Sequence, residues 1–306
     1  MSIVVFGSTN MDIFAYAERL PRPGETVHGE SYSITLGGKG ANQAVAVAQL
    51  GGRVELAGRT GQDTFGALAR ERLTQKGVGL TYLLEDPASP TGIAAIGVDA
   101  RAENCITVVG GANMAVGESD VERLAPLIGA TRVLLLQLEI PLEASLAAAK
   151  RFRAGGALAI LDPAPAPSGG FAPEIWSSVD AMTPNETETE ALVGIRPTDI
   201  PSAAKAAAAL IERGLRIAVV KMGGAGVYYR GGGGEGHIPA FKVTPIDTVA
   251  AGDCFNGGLA FALGRGDDWP DALRFASACG ALATTRRGAS DAAPSLAEVE
   301  EMMARG

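Results

Sequence analysis

The chain has 306 residues, of which 47% are apolar and only 5% aromatic, and its net charge is −8. This length and apolar content suit one large α/β domain, or one domain plus a small appendage, with a sizeable core. The acidic balance, without any block of basic residues, argues against nucleic acid and anionic membranes as partners, and no apolar stretch is long enough to span a bilayer. Three scattered cysteines, Cys105, Cys254 and Cys279, and only two histidines predict a reducing, cytoplasmic setting without a zinc site or histidine-centred triad.

The N-terminal third begins with a buried strand over residues 3–6, because the run Ile-Val-Val-Phe is apolar and ends at Gly7. The N-terminal segment also lacks the basic region of a signal peptide. Residues 12–36 hold prolines and alternating polarity, which predicts exposed strands and turns. Farther along we predict a helix over 41–50, a strand over 54–57, a helix over 64–76 and strands over 92–98 and 104–109.

From about residue 120, strands and helices alternate regularly. Strands are predicted over 133–138, 158–162, 181–183 and 217–221, and helices over 121–128, 142–154, 175–178, 186–193, 202–213, 252–264 and 270–286. This alternation predicts a parallel sheet covered on both faces. The glycine run at 231–234 could be a phosphate loop, but it fits better as the turn of a hairpin between 226–230 and 237–241.

The most informative segment spans residues 247–258, Asp-Thr-Val-Ala-Ala-Gly-Asp-Cys-Phe-Asn-Gly-Gly. A strand or turn here meets small residues and then a helix that begins near Asp253. Small residues let a ligand approach the backbone, and the free N–H groups and dipole of a helix start attract an anion. A carboxylate in the first turn can accept a proton from a hydroxyl, so Asp253 is a candidate catalytic base. The alternative is that Asp253 is a plain helix cap.

A second glycine-rich segment reads Gly37-Gly38-Lys39-Gly40-Ala41-Asn42-Gln43 and resembles a Walker loop only superficially. It departs from that pattern because Gly40, rather than Ser or Thr, follows Lys39. Glycines with Lys39 and Asn42 at a helix start suit a polar, neutral ligand. The alternative is a simple glycine-rich helix entry.

Further polar side chains follow the predicted strands, where open α/β sheets bind their ligands. Asn10 and Asp12 come just after the first strand and could point at one ligand or form a turn. Glu139 ends another strand. Asn185 and Glu188 span a helix start, which fits either a capping segment or a site for water-bound Mg²⁺ and phosphate. With the two glycine-rich segments, 37–43 and 247–258, these make five polar clusters at strand ends, which together favour a binding site.

Together these segments resemble the ribokinase branch of the PfkB family of sugar and nucleoside kinases. The resemblance runs nearly end to end, from residues 7–12 to 286–289, and is strongest in the two glycine-rich motifs, 37–43 and 248–258. It implies an α/β fold of the ribokinase-like kind, a three-layer α/β/α sandwich with a mostly parallel central sheet. Residues 1–306 would form a single domain, with a small β lid from about 13–36 and 91–109.

The resemblance also implies an activity. The protein would be an ATP-dependent kinase that phosphorylates the 5-hydroxymethyl group of D-ribose to give ribose 5-phosphate. Asp253 would deprotonate the hydroxyl, and the N–H groups of Ala251, Gly252 and Asp253 would form an anion hole for the transferring phosphoryl. The sugar would be held by Asn10, Asp12, Gly38, Lys39, Asn42, Glu139 and Asp253. The nucleotide would contact Asn185, Glu188, Lys221, Gly223, Gly224, Ala225, Gly226, Gly252 and Ser277, of which Lys221 and Ser277 are the least typical.

Two metal ions are implied by the same resemblance. Mg²⁺ would arrive with ATP, and an activating K⁺ would lie between two loops, bound by the Asp247 carboxylate and mostly by backbone carbonyls. The residues of this potassium site would be Asp247, Val249, Ala283, Arg286 and Gly288. The chain has Ala292 where the family often has a serine ligand. The alternative for Asp247 is an ordinary salt bridge with Arg286 or Arg287.

Two other interpretations of function remain open. A relative acting on deoxyribose, fructose, a ketogluconate or a nucleoside would share these motifs, and Phe14, Tyr16 and Tyr32 offer apolar walls for a base. A non-catalytic sugar-binding module could use the same fold, although the presence of Asp253 favours catalysis. The exposed strands of the lid need cover, so we expect a homodimer that pairs through them.

Overall fold

The computed structural model describes residues 2–101, 103–167 and 169–305. Its strands in chain order are β1 (Ile3–Phe6), β2 (Asn10–Tyr16), β3 (Ser31–Gly37), β4 (Val54–Gly61), β5 (Gly79–Asp86), β6 (Gly92–Val98), β7 (Asn104–Val109), β8 (Val133–Leu136), β9 (Leu158–Leu161), β10 (Ala181–Met182), β11 (Ile217–Lys221), β12 (Val227–Gly231) and β13 (Gly234–Ile238). Its α-helices are α1 (Lys39–Gln49), α2 (Thr64–Gln75), α3 (Glu118–Arg123), α4 (Leu142–Ala154), α5 (Pro173–Trp176), α6 (Glu186–Val193), α7 (Ile200–Glu212), α8 (Ala251–Arg265), α9 (Trp269–Ala283) and α10 (Leu296–Arg305).

Nine strands form one large sheet in the order β13-β12-β11-β10-β9-β8-β1-β4-β5. The pairs from β11 to β5 are all parallel, whereas β12 and β13 add an antiparallel hairpin at one edge. The central strands β1, β8 and β9 are short apolar runs, because a parallel sheet is buried on both faces. The carboxyl ends of the parallel strands therefore meet along one edge of the sheet.

Helices cover both faces of this sheet, which confirms the predicted three-layer α/β/α sandwich. On one face, Ile3 and Val5 of β1 share a core with side chains of α1, α8 and α9. On the other face, Val4 and Phe6 share a core with side chains of α4 and α7. Within the described ranges, no helix combines the length and the apolar character needed to cross a bilayer.

A separate sheet of four strands has the order β3-β2-β6-β7. β2 pairs with β3 in antiparallel and with β6 in parallel fashion, which places Asp12 opposite Thr35 and Ala94. Strand β7 at one edge is exposed along its whole length. Because only residues 7–9 separate β1 from β2, the small sheet begins at the carboxyl edge of the large one.

Most predicted elements are confirmed, several of them to the residue, namely the helices 142–154 and 186–193 and the strands 92–98, 104–109 and 217–221. The glycine run is a hairpin turn as predicted, with Gly232 and Gly233 at positive φ. Its second strand begins at Gly234 rather than at residue 237. Strand β5 and helix α10 were not predicted. In β5 the residues do not alternate cleanly between polar and apolar, because the strand lies at the sheet edge.

Candidate active site

Asp253 lies in the first turn of α8 and is only 5% exposed. Its two carboxylate oxygens accept hydrogen bonds from helix α1, one from Asn42 Nδ2 at 2.9 Å and one from Gln43 Nε2 at 3.1 Å. Burial raises the pKa of Asp253, Lys39 nearby opposes the rise, and the neighbouring carboxylate of Asp162 adds to it. A buried carboxylate with a raised pKa is a suitable proton acceptor.

No side chain caps the start of α8, although Asp253 lies in its first turn. The N-cap residue is Ala250, with φ 58 and ψ 9. The interpretation of Asp253 as a plain cap is therefore wrong. The N–H of Ala251 donates to the carbonyl of Thr248 at 3.3 Å, so this member of the expected anion hole is already bonded. The N–H groups of Gly252 and Asp253 have no acceptor among the described residues.

On the small sheet, Asn10 and Asp12 lie on the same face of β2, because side chains two residues apart in a strand share a face. Burial raises the pKa of Asp12 to about 7, and the nearby carboxylates of Glu139 and Asp253 contribute to the rise. Gly37 on the neighbouring strand leaves room for the Asp12 carboxylate, since a Cβ at that position would overlap it. Asp12 therefore faces the same space as Asp253.

Glu139 ties the end of β8 to the start of α1. Its Oε2 accepts hydrogen bonds from Ser8 Oγ at 2.5 Å and from the backbone N–H of Lys39 at 2.9 Å. Burial would lower the pKa of Lys39, but the carboxylates around it, Asp253 first among them, outweigh this effect and raise it. The ammonium group of Lys39 is thus the positive charge at the centre of an acidic cluster, beside Gly38 at the helix start.

The structure adds polar residues that the sequence analysis does not select. Asp162, at the end of β9 and 3% exposed, accepts from Gln43 Nε2 at 3.2 Å and from Lys221 Nζ at 3.2 Å. Gln137 Nε2 donates to Gln43 Oε1 at 2.7 Å. The only available signal was position, since Gln43 belongs to the glycine-rich motif and Asp162 follows an apolar strand.

The residues expected at the nucleotide lie farther along the same edge. Asn185 and Glu188 form a reciprocal capping box at the start of α6, and burial raises the pKa of Glu188, while Lys221 opposes the rise. Lys221 ends β11, and its ammonium group comes close to Gly252 at the start of α8. After Lys221 the chain makes a 3₁₀ turn over Gly223–Ala225 and reaches Gly226 at φ 91. Ser277 of α9 is buried, and its hydroxyl has no partner among the described residues.

Asp247 connects the two loops that were expected to hold K⁺. Its carboxylate accepts from the backbone N–H of Val249 at 3.0 Å and of Gly288 at 3.2 Å. Arg286 pairs instead with Glu298 at 2.7 Å, and within the described residues Asp247 forms no ion pair. The salt-bridge alternative with Arg286 or Arg287 is therefore wrong. Ala283 is the last residue of α9, and from the described part of the chain its carbonyl accepts one long hydrogen bond of 3.5 Å, from the N–H of Arg286.

A buried carboxylate, two helix N–H groups without an acceptor among the described residues and several polar side chains thus meet at the carboxyl edge of a three-layer α/β/α sandwich, an arrangement suited to phosphoryl transfer. The family model described as "pfkB family carbohydrate kinase" matches residues 1–296. The chain belongs to this family, and it is a sugar kinase with a ribokinase-like fold.

Named relatives and solved structures cover almost the whole chain. The ribokinase of Haemophilus influenzae is 37% identical over 302 residues, 99% of this chain and 98% of that protein. The deoxyribokinase of Salmonella typhi is 34% identical over 304 residues, 99% of each chain. The Arabidopsis thaliana ribokinase complexed with ribose and ATP superposes with a TM-score of 0.91 at 32% identity, covering 98% of each chain. The ribokinase of Thermotoga maritima gives a TM-score of 0.89 at 37% identity, covering 99% of each chain.

Proposed function

We propose that this protein transfers the γ-phosphoryl group of ATP to the 5-hydroxymethyl group of D-ribose, giving ribose 5-phosphate and ADP. The observation that carries the proposal is the buried Asp253 beside two backbone N–H groups that have no acceptor among the described residues, with the Asp12 carboxylate near both Asp253 and Glu139. Ribokinases of 34–37% identity and the ribokinase complex with ribose and ATP support the same acceptor and donor.

In the proposed reaction the Asp253 carboxylate removes the proton of the 5-hydroxyl as its oxygen attacks the γ-phosphorus. The bond between the γ-phosphorus and the bridging oxygen breaks, and ADP leaves with that oxygen. Negative charge on the transferring group falls next to the N–H groups of Gly252 and Asp253, which are already oriented by the helix. The amides of Asn42 and Gln43 hold the base in place before the sugar arrives.

Two neighbouring carboxylates on the nucleotide side, Glu188 and Asp162, would favour a divalent cation that is bound through water. Burial raises the pKa of Glu188 and the carboxylate of Asp162 raises it further, so positive charge nearby would be favourable. Asn185 and Glu188 would hold Mg²⁺ through water, and the ion would neutralise phosphate charge on ATP. Lys221, which lies beside both Asp162 and Gly252, would contact the phosphates.

The loops joined by Asp247 fit a monovalent cation. Oxygen ligands from Asp247, Val249, Ala283, Arg286 and Gly288 would surround K⁺, whose charge would complement the Asp247 carboxylate. Asp247 lies at the start of the loop that leads to the anion site, and it is already fastened to the loop after α9 by the N–H of Gly288. A cation here would order residues 247–253 without contacting the sugar.

We also propose that the small sheet acts as a lid over the sugar and as the contact between two copies of the chain, within one domain. By strand register, Ile106 and Val108 of β7 share the face that carries Asp12. They are 53% and 57% exposed, which is unusual for two neighbouring apolar side chains on one edge strand. A second copy would cover them, and the free cysteines fit a cytoplasmic location.

A screen of acceptors tests the substrate assignment. ATP consumption is measured with ribose, deoxyribose, fructose, a ketogluconate and common nucleosides, with Asp253→Asn as the blank, and ³¹P NMR identifies the phosphorylated carbon. We expect the highest kcat/KM with ribose and phosphorylation at carbon 5. A higher kcat/KM for any other acceptor would contradict the assignment, and no turnover with any acceptor would favour a sugar-binding module.

A further inference from the structure

Asn113 lies directly behind Asn10, outside the residues that the sequence indicates. It belongs to the 3₁₀ turn Gly111–Ala115 and is 1% exposed. Its amide makes three hydrogen bonds. Oδ1 accepts from the backbone N–H of Thr9 at 2.9 Å, and Nδ2 donates to the carbonyl of Thr9 at 3.1 Å and to Asn10 Oδ1 at 2.7 Å.

The backbone fixes the direction of every bond in this group. The N–H of Thr9 can only donate, so the atom of Asn113 that meets it must be the amide oxygen. The other atom of Asn113 is then the NH₂ group, which also fits the acceptor carbonyl of Thr9. It follows that Asn10 must present its oxygen to Asn113. This order does not depend on a choice of amide flip, because two backbone groups determine it.

Asn10 thereby directs its oxygen to Asn113 and keeps its NH₂ group for a ligand. Its Oδ1 is used by Asn113, and its Nδ2 donates to no acceptor among the described residues. The pair is built closely, since a Cβ at Gly92 on the neighbouring strand would overlap both Asn10 Oδ1 and Asn113 Nδ2. Asn10 shares the face of β2 with Asp12, so the free NH₂ group belongs to the space in front of Asp253.

We propose that Asn113 is a positioning residue that makes Asn10 a dedicated hydrogen-bond donor to one sugar hydroxyl. This inference rests on the proposed function, in that the ligand is a sugar. Asp12, when ionised, can only accept. A hydroxyl between the two residues therefore accepts from Asn10 and donates to Asp12, which uses both of its roles. A sugar without that hydroxyl leaves two largely buried groups unpaired, so the site selects against deoxy sugars and epimers at that carbon.

The test is a double-mutant cycle read with several sugars. Asn10→Ala, Asn113→Ala and the double variant are compared with wild type on ribose, 2-deoxyribose, arabinose and xylose. We expect Asn113→Ala to raise the KM for ribose about 10-fold, the cost of one misplaced hydrogen bond, with the KM for ATP within about 2-fold. Both single variants should reduce wild-type selectivity against the same analogue, and the double variant should be no worse than Asn10→Ala.

Asn113→Ala removes the hydrogen-bond partner of the buried N–H and C=O of Thr9, so this variant could lose activity because it misfolds. A second variant therefore tests the same contact without removing Asn113. Gly92→Ala keeps Asn113 but forces its contact with Asn10 apart, and the same selectivity pattern is expected. Ser145→Ala, which removes a fully buried hydroxyl of α4 that has no hydrogen-bond partner among the described residues, is the matched control and should leave ribose KM unchanged.

Two outcomes are decisive and separable from the proposed function. The inference would be overturned if the effects of the two single substitutions on sugar KM and selectivity simply add in the double variant. It would also be overturned if Asn113→Ala raised the KM for ATP as much as the KM for ribose. If wild type prefers another sugar, the substrate assignment fails, and the same cycle on that sugar still decides the role of Asn113. If no sugar turns over, calorimetric sugar binding without ATP replaces KM, and an absence of coupling between the two positions again overturns the inference.

Discussion

The most direct physical prediction concerns Asp12, whose neutral isostere is Asn. Burial, followed by the charges of Glu139 and Asp253, raises the Asp12 pKa from 3.8 to about 7. Because the folded-state pKa exceeds the unfolded one, the stability that this group contributes is greatest below pH 4 and is lost as pH rises towards 7. The span of about 3 pKa units sets a ceiling of ~4 kcal/mol, at ~1.4 kcal/mol for each unit.

Partial exposure of the Asp12 side chain screens the effect, so we expect a measurable change of about 1–2 kcal/mol. The measurement is urea unfolding of the sugar-free protein. The free energy of unfolding of Asp12→Asn, relative to wild type, should increase by that amount between pH 5 and pH 8. The same substitution should weaken ribose binding, because a neutral amide oxygen accepts a hydrogen bond from a hydroxyl more weakly than a carboxylate does. The variant would thus be more stable above pH 7 and less active.

Asp63 supplies a control of opposite sign. Burial raises its pKa, but hydrogen bonds from the N–H and hydroxyl of Thr91 and from the N–H of Gly66 outweigh burial and lower it. Asp63→Asn should therefore be less stable than wild type above pH 4, and this difference in the free energy of unfolding should shrink as pH falls below 4. Parallel stability curves for wild type and Asp12→Asn from pH 5 to pH 8 would refute the reasoning, because the raised pKa requires them to diverge.

Four other predictions follow from the site and the small sheet. Asp253→Asn should fold, bind ATP normally and lower kcat by ~10²–10⁴-fold, and a kcat within a few-fold of wild type would remove it as the base. Ala250→Gly relieves a left-handed φ of 58 and should cost little or no stability while lowering kcat, because the anion site becomes less rigid; an unchanged kcat in steady-state assays would contradict this. Activity should be higher in K⁺ than in Na⁺ at equal ionic strength, and Asp247→Ala should abolish the difference; equal rates in both salts would exclude the ion. Ile106→Glu should convert a dimer to a monomer in light scattering, and a wild-type monomer at micromolar concentration would refute the interface.

The layers of the fold could be predicted because the chain alternates buried strands with helices and punctuates them with glycine. The contiguous motifs around Lys39 and Asp253 could also be predicted, since each combines small residues with a polar group at a helix start. Asp162 and Asn113 could not, because each is a single polar residue in an ordinary segment. Their importance arises only from the packing of distant segments, which brings Gln43 to Asp162 and Asn10 to Asn113.

The contacts that hold Asp253 have a consequence for how activity is gained during folding. Asn42 and Asp253 are separated by 211 positions along the chain, and Gln43 and Asp253 by 210. Such long loops close late and slowly compared with local helices and hairpins. A ribosome-bound chain that has not yet released α8 lacks both the proposed base and the helix N–H groups proposed to bind the transferring phosphoryl group. Phosphoryl transfer therefore becomes possible only when the last fifth of the protein has docked onto the first.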